Sequence, residues 1–216
     1  MQENQPERYD SRADTLAHIE RVQSLIKAAI ENLANRATVH DRSKLEEPEK
    51  SVFDACTIKL KSIPYGSDEY KAALAELKPA LDHHYAANSH HPEFYPKRHG
   101  GFFAAMLRSI ADAQEEQANP ALHNPSEKAA AQALLGTAKF VRATADQLEA
   151  EVNGMSLFDL LEMLLDWKAA TERMQGGGDI MRSIEINTSR FNLSPQVVQI
   201  LRNTVAEMKW IPVDQP

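Results

Sequence analysis

Five of the eight histidines, His83, His84, His90, His91 and His99, fall within residues 83–99 of a 216-residue chain. Neutral imidazole is the commonest nitrogen donor to divalent transition metals, and carboxylates complete sites in which an ion binds water as well as protein. Both donor types recur elsewhere in the sequence: His18, the adjacent His40 and Asp41, and the acidic run Asp159, Glu162 and Asp166. Neighbouring residues on a helix diverge by about 100°, so His40 and Asp41 meet one ion only where the backbone turns sharply or long side chains compensate. One or two ions with open positions need fewer than four imidazoles from the 83–91 stretch. His84 and His91 are the favoured ligands, and the rest of that group is expected to support them or face solvent.

The order histidine, His-Asp, histidine, histidine, aspartate resembles the HD-domain superfamily of metal-dependent phosphohydrolases, whose members are all-helical. The resemblance implies His18 as first ligand, His40 and Asp41 as the doublet and Asp166 as the last, with His84 and one of His90 or His91 serving a second metal. A closer resemblance is to an uncharacterised family found in bacteria and phages with the motifs H-D-x-S-K, H-H-x-x-x-N-x-H-H and E-M-x-x-D-W. Here these stand as His40-Asp41-Arg42-Ser43-Lys44, His83-His84-Tyr85-Ala86-Ala87-Asn88-Ser89-His90-His91 and Glu162-Met163-Leu164-Leu165-Asp166-Trp167. That likeness spans roughly residues 14–95 and 155–205. It leaves the helices at about 100–152 as an insertion within a single domain spanning 1–216.

The expected function is hydrolysis of a nucleotide or related small phosphoester by metal-activated water, with one or two divalent ions drawn from Mn, Fe, Co, Ni, Zn or Mg. Such an ion lowers the pKa of bound water toward 7 and polarises a phosphoryl oxygen. Lys44, three residues past Asp41, is expected to pair with a substrate phosphate as a mobile point charge, with Arg42 or Arg98 as a second clamp. Glu162, one turn from Asp166, is placed to orient a ligand or the attacking water. Asn88 either holds His84 or binds substrate. Two other functions fit the same residues: an HD-type di-iron oxygenase, in which the doublet is followed by a lysine, and a non-catalytic helical interaction protein that a metal only stabilises.

Composition narrows the field. With 24 Lys plus Arg against 31 Asp plus Glu, the formal charge of −7 disfavours a broad nucleic-acid surface. The single Cys56 excludes an intramolecular disulfide and a thiolate zinc cage. The start, MQENQPERYDSRAD, lacks the basic and apolar stretches of a signal peptide, and no run approaches the ~20 apolar residues of a membrane span. A cytoplasmic protein is expected, with a phosphorylated small molecule as its partner and a homo-oligomer as an option.

The elements that must position these residues read as helices throughout. Ala, Leu, Glu and Lys abound while β-branched clusters are scarce, so the expected fold is an all-α, HD-like helical bundle carrying an inserted helical pair. Leu16, Ile19, Val22, Ile26, Ile30 and Leu33 define a first helix with His18 on its buried arc, interrupted at Asn35. A second helix starts at the Glu46, Glu47, Pro48 cluster and runs to Ile63 before Pro64 and Gly66. Ser67 caps a third, Asp68 to about Ala87, with a kink or break at Pro79. Further helices are expected at Phe102 to Gln117, Ser126 to Val152, Ser156 to Met174, Asp179 to Asn192 and Pro195 to Met208. On the Ser156 helix, Leu157, Leu160, Leu161, Leu164 and Leu165 read as the apolar stripe. Asp159, Glu162 and Asp166 then fall on the other side, where a solvated acidic face competes with the ligand reading. Trp167 is expected in the core, and Gly176 to Gly178, with no strand before them, as a flexible connection rather than a phosphate loop.

Overall fold

The computed structural model describes residues 10–61, 63, 68–96, 101–173 and 178–211. The expected stops Pro64 and Gly66, the cap Ser67, the clamp Arg98, His99, and Gly176 and Gly177 lie outside these residues. The protein is all-α, with eight α-helices, three short 3-10 turns and no strand among the described residues. It divides into two compact units, Met1–Arg42 and Ser43–Pro216.

The first unit is the helix α1, Arg12–Val39, none of whose residues is buried. It runs through Asn35, where a break was expected, because asparagine inside a helix costs only about 0.7 kcal/mol and many good helix formers surround it. The end of α1 is sharp. His40 is extended (φ −49°, ψ 126°) and its N–H bonds back to the Arg36 carbonyl, while Asp41 adopts the left-handed conformation with φ 56°. That conformation is uncommon outside glycine, and Asp is among the few residues enriched in it.

A 3-10 turn, Arg42–Leu45, leads into the second unit, where α2 (Glu49–Lys61) and α3 (Asp68–Ala87) pack on each other. The expected start of α2 shifts from the acidic cluster to Glu49. Pro79 lies inside a continuous α3, not at a break: it faces solvent, while Ala73, Leu77 and Ala80 are buried and hold the helix on both sides of it.

The chain then forms an antiparallel pair, α4 (Gly101–Ala121) and α5 (Lys128–Leu148). Their seam is built from Ala104, Ala111 and Ala118 on one helix and Ala131, Ala138 and Ala145 on the other, all buried at strict seven-residue spacing. A heptad of the smallest side chain lets two backbones approach closely along a whole face. Ion pairs tie the edges, Arg108 to Asp146 and Glu149, Arg142 to Asp112 and Glu115. The α4 helix runs four residues past its expected end, taking in Pro120, and α5 stops at Leu148 in place of Val152, followed by the 3-10 turn Glu151–Gly154.

The last three helices, α6 (Leu157–Glu172), α7 (Ile180–Phe191) and α8 (Pro195–Glu207), enclose the main apolar cluster. Its centre is Met163, Leu164, Ile184, Leu201 and Val205, with the Trp167 ring stacked on Phe191. Each of these helices has a side-chain cap: a reciprocal Ser156–Asp159 box on α6, Asp179 on α7 and Ser194 on α8. The expected leucine stripe of α6 is only partly buried. Leu157 is 72% exposed and Leu165 42%, while Met163 and Leu164 carry the packing. No helix among the described residues is long and apolar enough to cross a membrane.

Candidate metal centre

The last turn of α3 presents His83 and His84, and the helix ends at Ala87, so Asn88 to His91 form a tight loop closed by the 3-10 turn Pro92–Phe94. Backbone bonds from His91 to Asn88 (3.1 Å) and from Phe94 to His91 (3.0 Å) fix the loop locally. Asp159 of α6 fixes it at longer range. This buried carboxylate accepts from Ser89 Oγ (2.7 Å) and Tyr95 Oη (2.8 Å) as well as from the Ser156 backbone and hydroxyl. Burial alone raises a carboxyl pKa, but the bonds from Ser156, Ser89 and Tyr95 outweigh it and hold Asp159 well below the usual carboxylate range. The polar stripe of α6 is therefore turned onto the histidine loop, and Asp159 itself is no part of a solvated acidic face.

The loop brings imidazoles together. Ring nitrogens of His84, His90 and His91 lie within 4.8 Å of one another, a spacing that lets them hold one metal ion. His84 Nε2 and His91 Nε2 are 2.9 Å apart, and His90 Nδ1 is 3.3 Å from Glu162 Oε1. Burial pushes the His91 pKa down to about 3, assisted by the charges of His90, His84 and Lys44 and opposed by Asp166. His91 is thus a neutral imidazole at neutral pH, the form that donates to metals. Lys44 sits with Nζ 5.6 Å from the centroid of the Phe53 ring, and that ring meets His84 edge-on at 6.4 Å.

Behind His84 lies Glu49, the first residue of α2, which is fully buried. Its Oε1 is 2.7 Å from His83 Nδ1 and its Oε2 is 3.1 Å from His84 Nδ1. Ser43 Oγ donates to the same Oε2 at 3.0 Å and lies 3.1 Å from His84 Nδ1. The Asn88 amide donates to the His84 carbonyl (2.7 Å) and to Ser43 Oγ (3.0 Å), with its nitrogen 3.0 Å from His84 Nδ1.

Of the residues singled out in the sequence, the second unit brings His84, His91, Glu162 and Lys44 to this cluster, Asp166 acts on His91 through its charge, and Asn88 contacts His84 directly. The structure adds His90, which is buried, to the two favoured imidazoles. His18, His40, Asp41 and Arg42 belong to the first unit. There His18 is exposed on α1, as is Arg42 at its end, and the sharp turn at Asp41 brings His40 Nε2 to 3.7 Å from Asp41 Oδ2, the convergence that a chelating doublet requires. Glu49 escaped the sequence reasoning, since an acid in a first turn is ordinary helix chemistry. Ser43 was quoted within a motif without a role. The available signal was the H-H pair itself, since two adjacent imidazoles at a helix end can share one acceptor.

A model of a family of unknown function, DUF5662, matches residues 7–116 and 140–207, and the chain belongs to that family. The match supports the likeness to an uncharacterised family and passes over residues 117–139, the outer part of the α4–α5 pair. No curated protein and no solved structure matches the chain.

Proposed function

We propose that this member of a family of unknown function is an HD-type, metal-dependent phosphohydrolase acting on a nucleotide or related small phosphoester. The observation that carries the proposal is the convergence of His84, His90 and His91 within 4.8 Å, with His91 held neutral and the Lys44 charge beside it. Nitrogens about 2.1 Å from one ion are about 3.0 Å apart at a right angle and about 3.4 Å apart at a tetrahedral angle. At 2.9 Å, Nε2 of His84 and Nε2 of His91 are close enough that both would reach one such ion. A divalent ion held there supplies Lewis acidity toward a phosphoryl oxygen and activates water.

The chain's own groups have separate tasks. Lys44, restrained over Phe53, pairs with a substrate phosphate, and Glu162 orients His90 or accepts a proton at the carboxylate facing it. Asp166 places a negative charge toward the His91 ring, opposing the fall in its pKa. The sequence motif and the superfamily resemblance add His40, Asp41 and His18 to the expected ligands; within the first unit His40 Nε2 lies 3.7 Å from Asp41 Oδ2.

Elemental analysis of purified protein is the test. Wild type is expected to carry one or two equivalents of a divalent transition metal, lost in a His84→Ala, His91→Ala variant. Lys44→Ala is expected to keep the metal and raise KM for a hydrolysed nucleotide about tenfold or more, the cost of one charge-assisted bond. Absence of metal after reconstitution overturns the proposal. So does retained metal with no turnover across nucleoside mono-, di- and triphosphates; iron-dependent consumption of oxygen in that protein would instead identify the oxygenase.

A further inference from the structure

Two adjacent helical residues point about 100° apart, yet His83 and His84 both direct Nδ1 at one side chain, the Glu49 carboxylate. That carboxylate is 0% exposed. A carboxyl group so deeply placed is tolerated only where hydrogen-bond partners surround it, and here His83, His84 and Ser43 do.

The protons of the network can be assigned by counting donors. Asn88 has two amide hydrogens, and oxygens take both, the His84 carbonyl at 2.7 Å and Ser43 Oγ at 3.0 Å. Ser43 has one hydroxyl hydrogen, which goes to Glu49 Oε2. Asn88 and Ser43 thus direct their hydrogens to oxygens, not to His84 Nδ1. A bare Nδ1 lone pair 3.1 Å from a carboxylate oxygen is repulsive, whereas an Nδ1–H there makes a charge-assisted bond. The remaining ring nitrogen, Nε2, keeps its lone pair and faces His91 Nε2.

We infer that Glu49 is the positioning residue of this centre: it takes the Nδ1–H of His84 and of His83, fixing His84 in the tautomer whose Nε2 lone pair faces His91, and thereby turns His83 away from the ligand set. The tautomer stands on the hydrogen-bond network alone; its effect on metal affinity rests on the metal-centre proposal. Carboxylate partners of this kind fix ring orientation and raise ligand basicity, and their loss costs roughly 10–100-fold in metal affinity. His83, whose side chain is 48% exposed, serves here as a second partner of the carboxylate, at 2.7 Å.

Long-range proton–nitrogen NMR of the histidine rings in the metal-free full chain reads the tautomer directly, with the His84 signals assigned by their loss in His84→Gln. An Nδ1–H pattern is expected, and an Nε2–H pattern overturns the inference. In parallel, Co(II) affinity is measured by chelator competition. Glu49→Gln is expected to bind about 10–100-fold more weakly, and His83→Ala within about threefold of wild type, each with a helical circular-dichroism spectrum like the parent's. Wild-type affinity in Glu49→Gln also overturns it. Should that variant fail to fold, the wild-type ring spectrum decides by itself. A wild type that binds no Co(II) defeats the metal-centre proposal while leaving the tautomer test in force.

Discussion

Asp159 accepts from Ser156 at the start of its own helix and from Ser89 and Tyr95, 70 and 64 residues away in the chain. Asparagine at this position keeps one acceptor oxygen and turns an amide toward the remaining donors, so Asp159→Asn is expected to cost roughly 1–3 kcal/mol. The sign of the pH dependence follows from the depressed pKa. The unfolded aspartate titrates near 3.9, the folded one lower, so the carboxylate's contribution is complete above about pH 4 and is lost as pH falls through the folded pKa. Urea unfolding of wild type and Asp159→Asn should give a constant difference from pH 5 to 7 that shrinks below pH 4; a difference that persists at low pH contradicts the assignment. The local half of this role was legible, because S-x-x-D announces a capping box. The distant half was not, and neither was Glu49, because contacts across 35 or 70 residues depend on how the chain closes and leave no mark at fixed spacing.

At the level of elements, the 3-10 turn Glu151–Gly154 packs on the turn Pro92–Phe94 that closes the histidine loop. A Cβ on Gly154 would lie 2.6 Å from Tyr95 Cδ1, 2.7 Å from its Cγ and 2.8 Å from its Cβ. These atoms sit near the base of the tyrosine and cannot swing aside without moving the backbone. Gly154→Ala is therefore expected to lose about 1–3 kcal/mol by overpacking and to weaken metal binding through the displaced loop. Gly136, in the middle of α5, has nothing within 4 Å of an added Cβ, and Gly136→Ala should gain up to about 1 kcal/mol. Thermal unfolding of the two variants distinguishes a packing glycine from a merely permissive one, since backbone freedom alone would predict gains at both. Element type was legible throughout from periodicity and caps, whereas boundaries failed where one residue was given too much weight. Asn35 was expected to interrupt a helix that runs on through it, and of the kink or break expected at Pro79 the break does not occur. The α6 stripe misled for another reason: helical spacing locates a face but does not say whether core or a polar loop lies against it.

In the whole molecule, the all-helical class was legible because residues that favour strands are scarce, whereas the seven-residue alanine spacing of the α4 and α5 seam went unread. The family match stops at 116, on α4, and resumes at 140, on α5. Arg142 reaches Asp112 and Glu115, so the two ends lie side by side and a short turn of about two to five residues can join them. Replacing 117–139 by such a turn removes Ala118, Ala131 and Ala138 from the seam but keeps Ala104, Ala111, Ala145 and both arginine clusters. The two helices pack mainly on each other, and no ligand of the proposed centre lies on them. The shortened chain is therefore expected to fold, to keep wild-type metal content and to retain turnover within about twofold, with a lower thermal midpoint from the smaller seam. Loss of metal would mean that the arm braces the histidine loop, through the Gly154 turn that joins them. Metal retained with a collapse in turnover would make the arm a lid over bound substrate, because only a group that acts after the ion is in place separates the two readouts.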